Sequence, residues 1–147
     1  MALEIERRFL VRGHAWQSQV QWSRTLHQGY LAGSADGLTL RVRRDDAAAW
    51  LTLKYPLVGS NPGALAREEF EYTIPLVDAE ALLLRSGACL RKVRHGLSLP
   101  GGDWVLDVFE GENAPLVIAE VELEAAEQAV QIPPWCCTEI SGLGRFS

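Results

Sequence analysis

Seven segments of this sequence, residues 3–11, 38–44, 50–55, 68–74, 90–99, 104–109 and 116–123, alternate apolar and polar side chains over at least five positions. Successive side chains of a β-strand point to opposite faces, so a period of two predicts strands, each with one apolar and one polar face. Turn-forming clusters separate them: Ala35-Asp36-Gly37, Arg44-Asp45-Asp46, residues 58–63, and Pro100-Gly101-Gly102-Asp103. Helical signals are fewer. Asp78 is expected to cap a helix over 79–86 that Gly87 stops, a second short helix is expected over 124–130 before Pro133-Pro134, and 14–20 could hold a third. Strands in sequence joined by short turns predict a mainly β (α+β) chain. The expected form is a closed or nearly closed antiparallel barrel with a few helices packed outside. A length of 147 residues suits one domain over 1–147.

The polar faces are unusual. Glu4, Glu6 and Arg8 share a face, with Leu3, Ile5 and Phe9 on the other. Arg41 and Arg43 pair likewise, as do Glu69 with Glu71, Lys92 with Arg94, and Glu120 with Glu122, while Lys54 and Asp107 stand alone. Any one of these faces could simply be solvated. Together they form like-charge doublets that repel along a strand, where a surface shaped for stability would mix its signs. Turned inward, the doublets line one cavity. Burying ions dry costs several kcal/mol each, so the interior must be wet or filled with ions and ligand. The acids can hold divalent cations and the bases a multiply charged anion; a metal-bound polyphosphate satisfies both. The outward apolar faces then need covering, by helices or by a second subunit in a homodimer.

Bulk properties exclude several alternatives. A net charge of -5 argues against a general nucleic-acid binder. Charges near the N-terminus, as in Glu4 and Glu6, do not suit a signal peptide, and no apolar run approaches the ~20 residues that span a bilayer, so a cytoplasmic protein without membrane partners is expected. Cys89 and the adjacent Cys136-Cys137 read as reduced thiols. His14, His27 and His95 lack ligand spacing.

The charged motifs, in order, resemble those of the CYTH family, the triphosphate tunnel metalloenzymes. Glu4-Ile5-Glu6-Arg7-Arg8 is similar to the family's Glu-x-Glu-x-Lys signature, with arginine in the last place. Gln28-Gly29-Tyr30, Arg41-Val42-Arg43, Thr52-Leu53-Lys54, Glu69-Phe70-Glu71, Lys92-Val93-Arg94, Leu106-Asp107-Val108-Phe109 and Glu120-Val121-Glu122 follow. The resemblance implies an eight-stranded antiparallel tunnel that binds triphosphate with Mg2+ or Mn2+. Family activities include inorganic, thiamine and RNA triphosphatases and an adenylate cyclase; the small bacterial members most similar to this chain are inorganic triphosphatases.

On that resemblance Glu4, Glu6 and Glu122 are expected to hold a metal bridging phosphate oxygens, with Asp107 and Glu120 at a second. Arg8, Arg41, Arg43, Lys54, Lys92, Arg94 and Arg145 are expected to grip the phosphate chain, and Glu69, Glu71 and Lys92 to assist the chemistry. Two departures stand out: Arg8 is a planar fork where the family has a compact ammonium, and the sequence given stops at Ser147 where relatives often continue with a basic segment. An adenylate cyclase, an organic triphosphatase and a non-catalytic polyphosphate or nucleotide binder remain as alternatives.

Overall fold

The computed structural model describes residues 2–33, 37–57 and 65–141. Among these residues nine strands carry the fold: β1 (Ala2–Val11), β2 (Val20–Gly33), β3 (Thr39–Arg44), β4 (Ala49–Pro56), β5 (Ala66–Ile74), β6 (Ala88–Leu97), β7 (Asp103–Phe109), β8 (Val117–Glu122) and β9 (Cys136–Glu139). One α-helix, α1 (Leu76–Arg85), joins β5 to β6. The sheet runs β5-β4-β3-β2-β6-β7-β8-β1, and β5 pairs back onto β1 to close an eight-stranded antiparallel barrel. Closure leaves no edge over that stretch, the usual danger of an open sheet. The seam is short: β5 takes Ala2–Ile5 of β1, and β9 takes over the same strand from Phe9 onward.

β2 is the longest strand, and it lies where the sequence shows no clean alternation. Its polar run Ser23-Arg24-Thr25 and its Gln28-Gly29 pair blur the pattern, but both edges are paired, to β3 and to β6, and that pairing sets the conformation. α1 starts two residues before Asp78. Pro75 occupies the cap position, its carbonyl accepting from the amides of Asp78 and Ala79, so Asp78 sits in the first turn without capping. The helix expected over 124–130 does not form. The Gln128 side chain accepts from the Glu124 amide and donates to the Gly101 carbonyl, and such side-chain bonds compete with helical ones. Residues Ala15–Gln19 make only a 3-10 turn. The turns at 34–36 and 58–64 lie outside the described residues.

The apolar faces point outward and are covered in two places. Ile5, Phe9, Leu106 and Val121 pack beneath Trp16, Trp104 and Trp135, which the 3-10 turn, β7 and the C-terminal segment supply. Val42 and Ala49 pack beneath Ala79 and Leu83 of α1. Each fully buried large side chain in these layers contributes about 1.5–3 kcal/mol of burial energy. Leu3, Tyr55 and Tyr72 stay exposed on the outer face where β4, β5 and β1 meet. A third cluster lies inside. Phe109 and Ile118, with Leu10 and Leu90, continue the inward faces that carry Asp107, Glu120, Arg8 and Lys92, and Ile140 packs against them. The lumen therefore has an apolar floor at one end. At the other end Gly96 leaves space for Trp22; a Cβ there would collide with the indole.

Candidate active site

The strand register brings the charged doublets into one chamber. Glu6 pairs with Glu122 and Arg8 with Glu120 across β1 and β8; Arg41 pairs with Thr52, which pairs with Glu71; Lys54 pairs with Glu69. A cavity of about 240 Å³ results, lined by Glu4, Glu6, Arg41, Arg43, Lys54, Glu69, Glu71, Arg94, Glu120 and Glu122, with Asp103 and Val105. Arg8, Lys92 and Asp107 lie one layer deeper, each 3 % exposed or less. Arg145 lies outside the described residues.

Ion pairs organise this chamber into zones. Lys54 Nζ lies 2.6 Å from Glu4 Oε2 and 3.7 Å from Glu69. Burial works against ionisation of Glu4, yet Lys54 and Arg67 overcome it and hold its carboxyl down to about 2. Deeper in, Arg94 donates to both oxygens of Asp107, and Lys92 lies 2.7 Å from Asp107 Oδ2. Burial alone would raise Asp107, but these two cations hold it well below the usual carboxylate range. On the wall between them Arg43 donates to Gln28 Oε1 at 2.7 Å, and Gln28 donates to the Tyr30 hydroxyl. Thr52 donates to Glu71 at 2.9 Å.

The remaining charges are less well compensated. Burial, then Glu120 and Glu4, push the Glu6 carboxyl up to about 8, although Lys54 and Arg8 are near. Burial and Glu4 raise Glu122 and Glu69 as well. These acids crowd one another more than the neighbouring bases neutralise them, as a site awaiting a cation would. Burial also lowers Lys92 to about 8 despite Asp107, and lowers Arg43 further beside Arg41 and Arg94. Arg41 is 3 % exposed, and its Nε has no hydrogen-bond partner among the described residues. A buried guanidinium donor without an acceptor is costly unless an anion arrives to take it. The acids supply only oxygen, the donor type that Mg2+ and Mn2+ favour. Among the described residues, however, no three of them converge as a ready-made metal cage. The oxygens of Glu4 and Asp107 are instead turned toward cations.

Two lumen residues were not among the sequence candidates. Arg67, directly opposite Glu4 across the seam, lies 3.2 Å from Glu4 Oε1 and 4.0 Å from Glu6. It shares the alternation of Glu69 and Glu71, but the expected strand began one residue too late to include it. Asp103 sits at the chamber's mouth, where it reads in sequence as the end of a turn. Arg7 faces outward and pairs with Glu139 at 2.7 Å. A larger groove of about 590 Å³ lies outside the barrel against α1, but its charges are mixed in sign, Asp45, Asp46 and Glu80 beside Arg44 and Arg91. No helix among the described residues is long and apolar enough to cross a membrane.

Comparison with known proteins places this geometry. The family model for the CYTH domain matches residues 2–146. An inorganic triphosphatase of Acetivibrio thermocellus is 34% identical over 148 residues, covering 99% of this chain and 90% of that protein. An inorganic triphosphatase of Nitrosomonas europaea is 36% identical over 147 residues, covering 97% and 92%. The crystal structure of the inorganic triphosphatase NE1496 superposes with a TM-score of 0.66 at 32% identity, over 98% of this chain and 93% of that one. A putative adenylate cyclase from Bacillus halodurans shares the fold at a TM-score of 0.54 and 19% identity, over 86% and 84%.

Proposed function

This chain belongs to the CYTH family, and we propose on that premise that it is a metal-dependent hydrolase cleaving inorganic triphosphate with water to diphosphate and phosphate. The observation that carries the reading is one chamber holding both an excess of crowded acids around Glu6 and a buried donor on Arg41 without an acceptor among the described residues. A metal-bound polyanion answers both. The two relatives named inorganic triphosphatase cover nearly the full length of this chain, which supports the same substrate.

Glu4, Glu6, Glu120 and Glu122 would hold Mg2+ or Mn2+, which supplies charge neutralisation on phosphate oxygens and acidification of a bound water. Arg41, Arg43 and Lys54 line the same chamber and would bind the phosphate chain, with Arg8 beneath. Guanidinium forks match phosphate oxygens two at a time, so they orient as well as attract. Asp107 spends both oxygens on Arg94 and Lys92 and is better read as the residue that positions them than as a metal ligand. Thr52 fixes Glu71 on the wall, where with Glu69 it can accept a proton from water. With the groups already fixed, catalysis is mainly positioning and electrostatics.

The apolar floor of Phe109 and Ile118 favours a short inorganic chain over one that must thread through. Phosphate release from tripolyphosphate, ATP and thiamine triphosphate, with Mg2+, Mn2+ or EDTA, tests the reading. Metal-dependent turnover of tripolyphosphate above the other two supports it; tight binding without turnover points to a binder, and cyclic AMP without free phosphate to a cyclase.

A further inference from the structure

We infer that Arg67 is a built-in counter-cation that pairs with Glu4 beside Glu6 and competes with a divalent cation for these carboxylates. The inference rests on the reading above that these two acids hold the metal.

Arg67 belongs to the seam that closes the barrel, where β5 and β1 share only four register pairs, one of them Arg67 with Glu4. Its Nη2 lies 3.2 Å from Glu4 Oε1 and 4.0 Å from Glu6 Oε1, a single prong between the two acids. The other oxygen of Glu4 is taken by Lys54 at 2.6 Å. Both oxygens of Glu4 are thus committed to cations before any metal arrives. The absence of a converged three-acid cage among the described residues follows from this. A divalent ion drawn to Glu4 and Glu6 has to compete with Arg67, which at 19% side-chain exposure is the more exposed of the two cations on Glu4. Lys54 is held at 5% exposure between Glu4 and Glu69 and is less able to leave. The guanidinium therefore sets a threshold on metal affinity, keeping the empty acids paired and weakening the grip on a lone ion.

Losing the competing cation should tighten metal binding roughly tenfold, about 1.4 kcal/mol. The experiment is titration of the full chain with Mn2+, without phosphate, followed by electron paramagnetic resonance of the free ion. Arg67→Gln should bind Mn2+ roughly tenfold more tightly than the wild type. Arg67→Lys, which keeps the cation, should return toward wild-type affinity, and Arg7→Gln, which removes a cation from the outer face, should leave affinity unchanged. Circular dichroism confirms that each variant is folded; should Arg67→Gln unfold, Arg67→Met serves in its place. Unchanged or weaker Mn2+ binding in a folded, uncharged variant at position 67 would overturn the inference while leaving the metal site standing. No Mn2+ binding by the wild type would overturn both.

Discussion

Arg94 and Asp107 are joined by two parallel hydrogen bonds across β6 and β7, Nε to Oδ1 at 2.8 Å and Nη2 to Oδ2 at 2.9 Å, in the wall of the charged chamber. Asp107 also takes Lys92 and is 1% exposed, so one carboxylate compensates two buried cations. Breaking a buried pair by neutralising one partner leaves the other charge stranded. Asp107→Asn should therefore cost about 3–5 kcal/mol of stability. Urea unfolding in EDTA checks this, and a loss under 1 kcal/mol would show that water screens the pair.

Stability of the metal-free protein should fall as pH rises from 6.5 to 8. Glu6 is raised from an ordinary 4.5 to about 8, so the native state holds a proton that the unfolded chain releases, and the stability this confers fades up to pH 8. Glu69 and Glu122 shift the same way. Glu4, lowered to about 2, acts only in acid, where its contribution is lost as pH falls below 4.5. His27 and His95 are lowered and oppose the trend, but below their ordinary 6.5, and Lys92, lowered to about 8, opposes it only toward the upper end of the range. Thermal midpoints in EDTA at pH 6.5, 7.2 and 8 should decline, and saturating Mg2+ should flatten the slope by replacing the proton. A rising midpoint in EDTA contradicts the crowding of acids around Glu6.

Phe109 closes the inner end of the lumen and lies with its ring centroid 5.3 Å from Lys92 Nζ. Truncating a buried phenylalanine removes its transfer energy and leaves a cavity, so Phe109→Ala should destabilise by about 3–5 kcal/mol. Phe109→Leu should cost much less. Equal losses in the two, read by thermal unfolding, would mean that the floor does not depend on packing.

Arg41→Ala and Glu4→Gln should each lower turnover of tripolyphosphate by about 100-fold or more while the barrel stays folded, since one removes an anion donor and the other a metal donor. Arg41→Ala should leave Mn2+ binding in place; Glu4→Gln should weaken it. Near-wild-type rates in both would remove these residues from the chemistry.

The inward faces were legible because a like-charge doublet such as Arg41 with Arg43, or Glu120 with Glu122, has little purpose on an ordinary surface. Alternation alone identified the strands that carry them. It failed on β2, where pairing on both edges overrides a sequence without a clear period. It also failed at Arg67, because a strand boundary is set by the partner strand, here Glu4 of β1, and not by the residues that precede it. The cap of α1 and the unformed helix near Gln128 are local contests between side chain and backbone that composition does not decide. Alternation puts Phe109 on the face of Asp107 and Ile118 on that of Glu120, but only register sets Ile118 beside Asp107 and so builds a floor.

The central claim is that acids and bases in one lumen hydrolyse a metal-bound triphosphate, and phosphate release from tripolyphosphate at saturating Mg2+ or Mn2+ tests it directly. The account predicts steady turnover that EDTA abolishes, restored metal that revives it, and an Arg41→Ala variant that stays folded but slow. Turnover that persists undiminished in EDTA, or no phosphate released from any triphosphate with either metal, would contradict it.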